Sequence, residues 1–129
     1  MKGICFHMCL VMFLVNPLEA QLTKTDRLLS SSRDLSGNEL GKVYYELSVE
    51  LQDVTPDSAL YYANKAELIF TRSDPDQLLP FLFKSKGKIY ENKLAFERSL
   101  FYYRKAYDEF IKLENFREIG SCALSIGNI

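Results

Sequence analysis

An all-α fold, an α-solenoid of antiparallel helical hairpins, is what this sequence predicts, and three observations predict it. Apolar residues recur at three- and four-residue spacing, as in Leu60, Ala63, Ala66 and Phe70, which is the period of one helix face. Helix-start signals stand ahead of those runs. A residue pattern also returns at a constant offset. Leu60, Tyr62, Lys65, Ala66 and Phe70 in DSALYYANKAELIF come back 40 positions on as Leu100, Tyr102, Lys105, Ala106 and Phe110 in ERSLFYYRKAYDEF. The same offset carries Ser85, Gly87 and Ile89 to Ser125, Gly127 and Ile129. A constant offset over such a distance marks stacked structural units, whereas scattered aromatics would drift.

Residues 1–20 read as a secretory signal peptide. Lys2 opens a short apolar run from Ile4 to Val15, Asn16-Pro17 breaks it, and Ala20 supplies a small residue before an expected cut. The run is too short for a comfortable transmembrane helix, and an uncleaved anchor is the alternative. This reading places the protein outside the cytoplasm, which in a bacterium would be the periplasm. It also removes Cys5, Cys9 and His7 from the mature chain and leaves Cys122 alone, so no internal disulfide is expected.

The stretch 21–38, with LLSSSRDLSG, is expected to hold a short helix or a Ser-rich linker. Residues 39–129 form the repeat domain. Helices are expected at 38–52, 56–72, 75–92, 96–113 and 116–129. Thr55-Pro56-Asp57 offers an N-cap, a proline for the first helical position and an acid in the first turn. Asp74-Pro75-Asp76-Gln77 does the same, with Gln77 placed to close a capping box. Asn115 to Glu118 is a third box. Two antiparallel helices need small residues where their backbones come closest. Gly87, Ser99 and Ala106 supply them, with Phe83, Tyr90 and Tyr103 filling the gaps around them.

Composition excludes several classes of function. The chain has 129 residues, 16 basic and 17 acidic side chains, and is 47% hydrophobic. That is enough for one domain with a core. It lacks the basic excess that a nucleic-acid surface needs. With no histidine left after the signal, neither a Ser-His-Asp nor a Cys-His arrangement can be assembled. No metal-ligand spacing and no Gly-rich phosphate loop is present. Glu46 with Glu50, and Asp108 with Lys112, are one turn apart, as on most helix surfaces. No enzyme activity, cofactor or metal is therefore expected.

The pattern resembles the tetratricopeptide repeat, in a longer 40-residue bacterial form. Phe83, Gly87 and Tyr90 match the first helix of that family's unit, and Ser99, Tyr103 and Ala106 match the second. An earlier copy matches with Tyr44, Leu47, Ser48 and Leu51, then Ala59, Ala63 and Ala66, and a last one begins with Ala123, Ile126 and Gly127. Two departures stand out. Lys86 sits where the family usually has Leu, and ENKLAF lacks the usual Gly-Asp turn. The resemblance implies about two and a half repeats, so the last unit stops before its second helix. It also implies an N-terminal piece of a longer protein or a truncated gene product, with self-association through the open last unit as one consequence.

The resemblance further implies a groove lined by the first helices that binds a protein or peptide. Carried over by position, it would show Tyr45, Val49 and Gln52, then Phe81, Lys84, Lys88 and Glu91, then Ser121, Leu124 and Asn128. Lys84 and Lys88, one turn apart, would suit an acidic group; taken alone, such a pair is more commonly a solvated face. The cluster of Tyr61, Tyr62, Tyr102 and Tyr103 reads as packing between helices. A second implied role is the extracytoplasmic sensing region of a membrane-bound sensor kinase or regulator, of the type found in Bacteroidetes, with any membrane span and output domain lying downstream. A third is a non-functional remnant.

Overall fold

The computed structural model describes residues 17–129, with side chains from Lys24 onward. Residues 1–16, on which most of the expected signal peptide falls, lie outside the described residues. Within them the fold is all-helical, with six helices and no strand: α1 (Pro17–Ser32), α2 (Gly37–Leu51), α3 (Pro56–Phe70), α4 (Leu79–Asn92), α5 (Phe96–Lys112) and α6 (Phe116–Gly127). Each helix packs on its neighbours in the chain, and α2 also touches α4. Among the described residues no helix is long and apolar enough to cross a membrane.

The α1 helix runs further than the short helix expected for 21–38. Its last turn takes in the serines, whose hydroxyls turn back on it: Ser31 donates to the Leu28 carbonyl at 2.9 Å and Ser32 to that of Leu29 at 2.7 Å. Lys24 pairs with Glu50 and so ties α1 to α2.

The α3 helix begins at Pro56, whose fixed φ suits the first helical position. It buries Ala59, Ala63, Ala66 and Phe70, a single stripe at helical spacing. The small side chains of the three alanines let α2 approach. A Cβ added to Gly41 of α2 would sit 2.8 Å from the Phe70 ring and 2.9 Å from Ile69, so only glycine fits that crossing.

The second crossing uses the same device. A Cβ on Gly87 of α4 would meet the Tyr103 ring of α5 at 2.7 Å. The contact brings the Ser99 hydroxyl within 2.8 Å of the Gly87 carbonyl, to which it donates. Serine there is small enough for the approach and supplies a hydrogen bond across it. The core forms two clusters. Ala59, Ala63, Ala66, Phe70, Leu82 and Ile89 make the first. Phe83, Ala106, Phe110 and Cys122 make the second and attach α6.

Repetition extends to the outer face. Lys65 lies over the rings of Tyr44 and Tyr61, at 5.2 and 4.8 Å. Forty residues on, Lys105 lies over Phe83 and Phe101, at 4.3 and 5.8 Å. Tyr62 stacks on Tyr44 and Tyr102 on Tyr90, while Tyr103 is buried and Tyr61 stays exposed.

The α4 helix starts four residues later than the spacing predicts. Gln77 adopts a left-handed φ of 54°, which breaks the helix before it begins and leaves no capping box. Asp74 still caps it from across the turn: its carboxylate accepts from the backbone N–H of Leu78 at 2.8 Å and of Leu79 at 2.7 Å. At α6 half of the expected box forms: Asn115 accepts from the Glu118 N–H at 3.2 Å, while the Asn115 N–H bonds the Phe110 carbonyl and the Glu118 carboxylate pairs with Lys84 instead.

Lys86, the residue out of keeping with the repeat, is only 3% exposed. It pairs with Glu67, donates to Asn64 Oδ1 at 2.9 Å, and lies 4.4 Å from the Tyr102 ring centroid. A buried cation of this kind needs partners on several sides, and here they come from α3 and α5.

Leu94, between α4 and α5, shows what the missing glycine of that turn means. It takes a φ of 59°. Its N–H bonds the Glu91 carbonyl, and the Ala95 N–H bonds the Tyr90 carbonyl, the pattern of a Schellman turn that favours glycine. Leu94 is 74% exposed, so little packing is at stake. Leu94→Gly is expected to stabilise the fold by about 0.5–1 kcal/mol, the left-handed penalty less the chain-entropy cost of glycine. Urea unfolding should show a higher midpoint at unchanged slope.

Candidate functional site

The α2, α4 and α6 helices share a cavity of about 390 Å³. From α2 and its C-cap come Tyr45, Val49 and Gln52; from α4, Phe81, Lys84, Ser85 and Lys88; from α6, Glu118 and Ser125. These sets are spaced by three, four and seven residues, so each is one stripe of its helix. Tyr103 reaches the cavity from α5.

Apolar and polar groups alternate in the lining. Tyr45, Val49 and Phe81 give apolar surface, and Phe81 is held edge-on to Phe110 at 4.9 Å. Lys84 pairs with Glu118 at 2.6 Å, bridging α4 and α6. Ser85 donates to Gln52 Oε1 at 3.4 Å, linking α4 to α2. Lys88 lies 3.5 Å from Glu91, which also accepts from the Tyr103 hydroxyl at 2.8 Å.

Burial sets the protonation of the lining's phenols. Burial, reinforced by the Glu91 carboxylate, holds the Tyr103 phenol well above its ordinary pKa. Burial, and then the Glu118 charge, raises that of Tyr45. Both phenols are neutral hydroxyls throughout the physiological range. Cys122 is fully buried and its thiol is pushed up by that burial, which disfavours the thiolate a nucleophile needs. Among the described residues no group of three or more His, Cys, Asp and Glu is placed to hold a metal ion.

Six of the ten groove residues named from the sequence line this cavity: Tyr45, Val49, Gln52, Phe81, Lys84 and Lys88. Glu91 stands beside it, half-buried under Tyr103. Ser121, Leu124 and Asn128 do not line it, and Leu124 and Asn128 are exposed. The reason is the rotation of α6. Cys122 is drawn into the core with Phe110, and this points Glu118 and Ser125 at the cavity instead. Gly127, matched by the offset to Gly87, is likewise exposed, with nothing within 4 Å of a Cβ built on it.

Four lining residues escaped the sequence reading as site residues. Ser85 and Ser125 carried a usable signal, since the 40-residue offset pairs them. Tyr103 was read for packing alone, and it packs through its ring while its hydroxyl faces the cavity. Glu118 was read only as part of a helix start, and no local signal shows that its carboxylate crosses to Lys84.

Fold and cavity together define a class: an all-helical protein of packed neighbouring helices, three of which line one shared cavity. Among known proteins no family model, no curated protein and no solved structure matches the chain.

Proposed function

We propose that this chain is a tetratricopeptide-like α-solenoid acting as a protein-interaction module, which holds an extended segment of a partner protein in the α2–α4–α6 cavity. The observation that carries this reading is the lining itself: alternate helices of the chain each contribute one stripe to a common surface. The cavity falls within the roughly 300–1,000 Å³ of ligand sites, with apolar walls for side chains and hydrogen-bonding groups for a peptide backbone. Lys84 is already neutralised by Glu118, which leaves Lys88 (42% exposed, at the long distance from Glu91) as the freer cation of the lining.

Panning a random peptide library against the protein tests this. Selected peptides should bind the wild-type chain and lose about tenfold or more in affinity, at least ~1.4 kcal/mol, to Lys88→Glu and to Gln52→Ala. They should bind Phe101→Ala, altered on the outer face, as well as wild type. Peptides indifferent to the cavity variants would defeat the proposal, as would a library that yields no binder.

A further inference from the structure

Several hydrogen-bond directions in the α2–α4–α6 cavity are already fixed. The Tyr103 hydroxyl donates to the Glu91 carboxylate at 2.8 Å. Its proton is committed, and its oxygen remains as an acceptor. The Ser85 hydroxyl donates to Gln52 Oε1 at 3.4 Å, which leaves the serine oxygen as an acceptor and the Gln52 NH2 group as a donor. Lys88 keeps only its long contact of 3.5 Å with Glu91 and is a second donor. The lining therefore offers acceptors from Ser85 and Tyr103 and donors from Gln52 and Lys88.

Depth and charge narrow what can enter. Ser85 is 7% exposed and Tyr103 2%, so the acceptors lie at the floor, while Lys88 stands at the rim. A backbone crossing the rim does not reach that floor; a side chain pointing inward does. Lys84 stands against Glu118 and Lys88 against Glu91, so no cation is left over for an anion. We propose that the cavity takes an uncharged carboxamide side chain, glutamine or asparagine, from the bound segment. Its carbonyl oxygen accepts from Lys88 and Gln52, and its NH2 group donates to Ser85 and Tyr103. This rests on the cavity being a peptide site and names the residue that the site selects.

A carboxylate of the same shape fits poorly. It has no proton for the two floor oxygens, and it adds a third negative charge against two cations. An apolar side chain of similar length leaves all four polar groups unmet. A site built to bond a ligand's N–H rejects the analogue that lacks it, because its own buried groups are then left unpaired. Glu91 is the positioning residue. It acts through Tyr103: by accepting the phenol's proton it turns a hydroxyl that could serve either way into an acceptor.

Three peptide libraries test this, random except for a fixed central glutamine, glutamate or methionine. Equilibrium capture by the full 129-residue chain should favour the glutamine library over each of the others by about tenfold or more. Glu91→Gln should largely abolish the preference for glutamine over glutamate, because the new amide can donate to Tyr103 and turn its proton toward the ligand. Tyr103→Phe should lower capture of the glutamine library and leave the glutamate library unchanged. The Glu91→Gln readout is a ratio measured on one variant, so a loss of stability does not imitate it, and circular dichroism checks the fold of both variants. Glutamate captured as well as glutamine overturns the carboxamide assignment and leaves the peptide site standing, with Lys88 as an anion contact. Methionine captured as well as glutamine overturns it in favour of an apolar subsite. A preference that survives Glu91→Gln also overturns it, because the selection then lies outside these groups. Capture of none of the three overturns the peptide site and this assignment together.

Discussion

Glu67→Ala is expected to destabilise the fold by about 3 kcal/mol or more, because it strands a buried cation. Lys86 is almost fully buried, and its charge is balanced chiefly by Glu67, with Asn64 and the Tyr102 ring as lesser partners. Removing the carboxylate leaves the ammonium desolvated and short of its counterion. Lys86→Leu should behave in the opposite way. It replaces the cation with an apolar side chain of similar size, and Glu67, 23% exposed, can turn to water. Such exchanges are commonly neutral or stabilising by about 1–4 kcal/mol. Adding Lys86→Leu to Glu67→Ala should then recover most of the loss, a coupling that a double-mutant cycle by urea unfolding measures.

The pH dependence of this pair has a definite sign. Burial is the largest influence and works against the Lys86 charge, but hydrogen bonding to Glu67 and Tyr102 and the charge attraction to both together outweigh it and leave the pKa raised. A raised lysine contributes stability that is complete below its unfolded pKa of about 10.4 and is lost as pH climbs through the folded value. The gap between wild type and Glu67→Ala should be full at neutral pH and close in the alkaline range above that point. A gap that stays constant through that range would show that Glu67 stabilises the fold by something other than the charge on Lys86.

Phe110→Ala is expected to cost about 3–5 kcal/mol, the range for emptying a buried aromatic site. Phe110 is fully buried where α4, α5 and α6 meet, against Phe83, Ala106 and Cys122 and edge-on to Phe81. Because α6 is attached mainly through this cluster, the loss should be uneven. Hydrogen exchange should show α6 amides losing protection first, with α2 and α3 least affected. Phe116→Ala, which removes a ring that is mostly in water, should change stability by less than about 0.5 kcal/mol. Uniform loss of protection along the whole chain would mean that α6 unfolds with the rest and not before it.

How much of this could be read from the residues differs by element. The bounds of α3 and α5 lie within two residues of those the apolar spacing predicts, because Ala59, Ala63, Ala66 and Phe70 in one and Ser99, Tyr103, Ala106 and Phe110 in the other mark a single stripe. The start of α4 was misplaced because Asp74 caps equally well from either side of a turn, and the left-handed Gln77 selects the later start. The α1 helix was undervalued because a serine run reads as linker. Its hydroxyls bond carbonyls of their own helix, a choice the sequence leaves open.

The candidate site divides in the same manner. Stripes on α2 and α4 follow from the helical period, since residues three, four and seven apart share a face whatever lies opposite. The face that α6 turns to the cavity does not follow. By offset it should carry Leu124; burial of Cys122 against Phe110 rotates Ser125 into place. The all-helical class was therefore determined by sequence alone, because helical periodicity rests on neighbours within one or two turns, and the 40-residue recurrence is a property of the sequence itself. Gly87 and Ser99 were legible as crossing residues through that recurrence, whereas Gly41 was shown only by its contact with Phe70. The partner of Lys86, the double use of Tyr103 and the pairing of Lys84 with Glu118 were decided only in the tertiary structure. Those contacts join residues 12 to 34 positions apart, and they exist only once packing has set how each helix is rotated against the next.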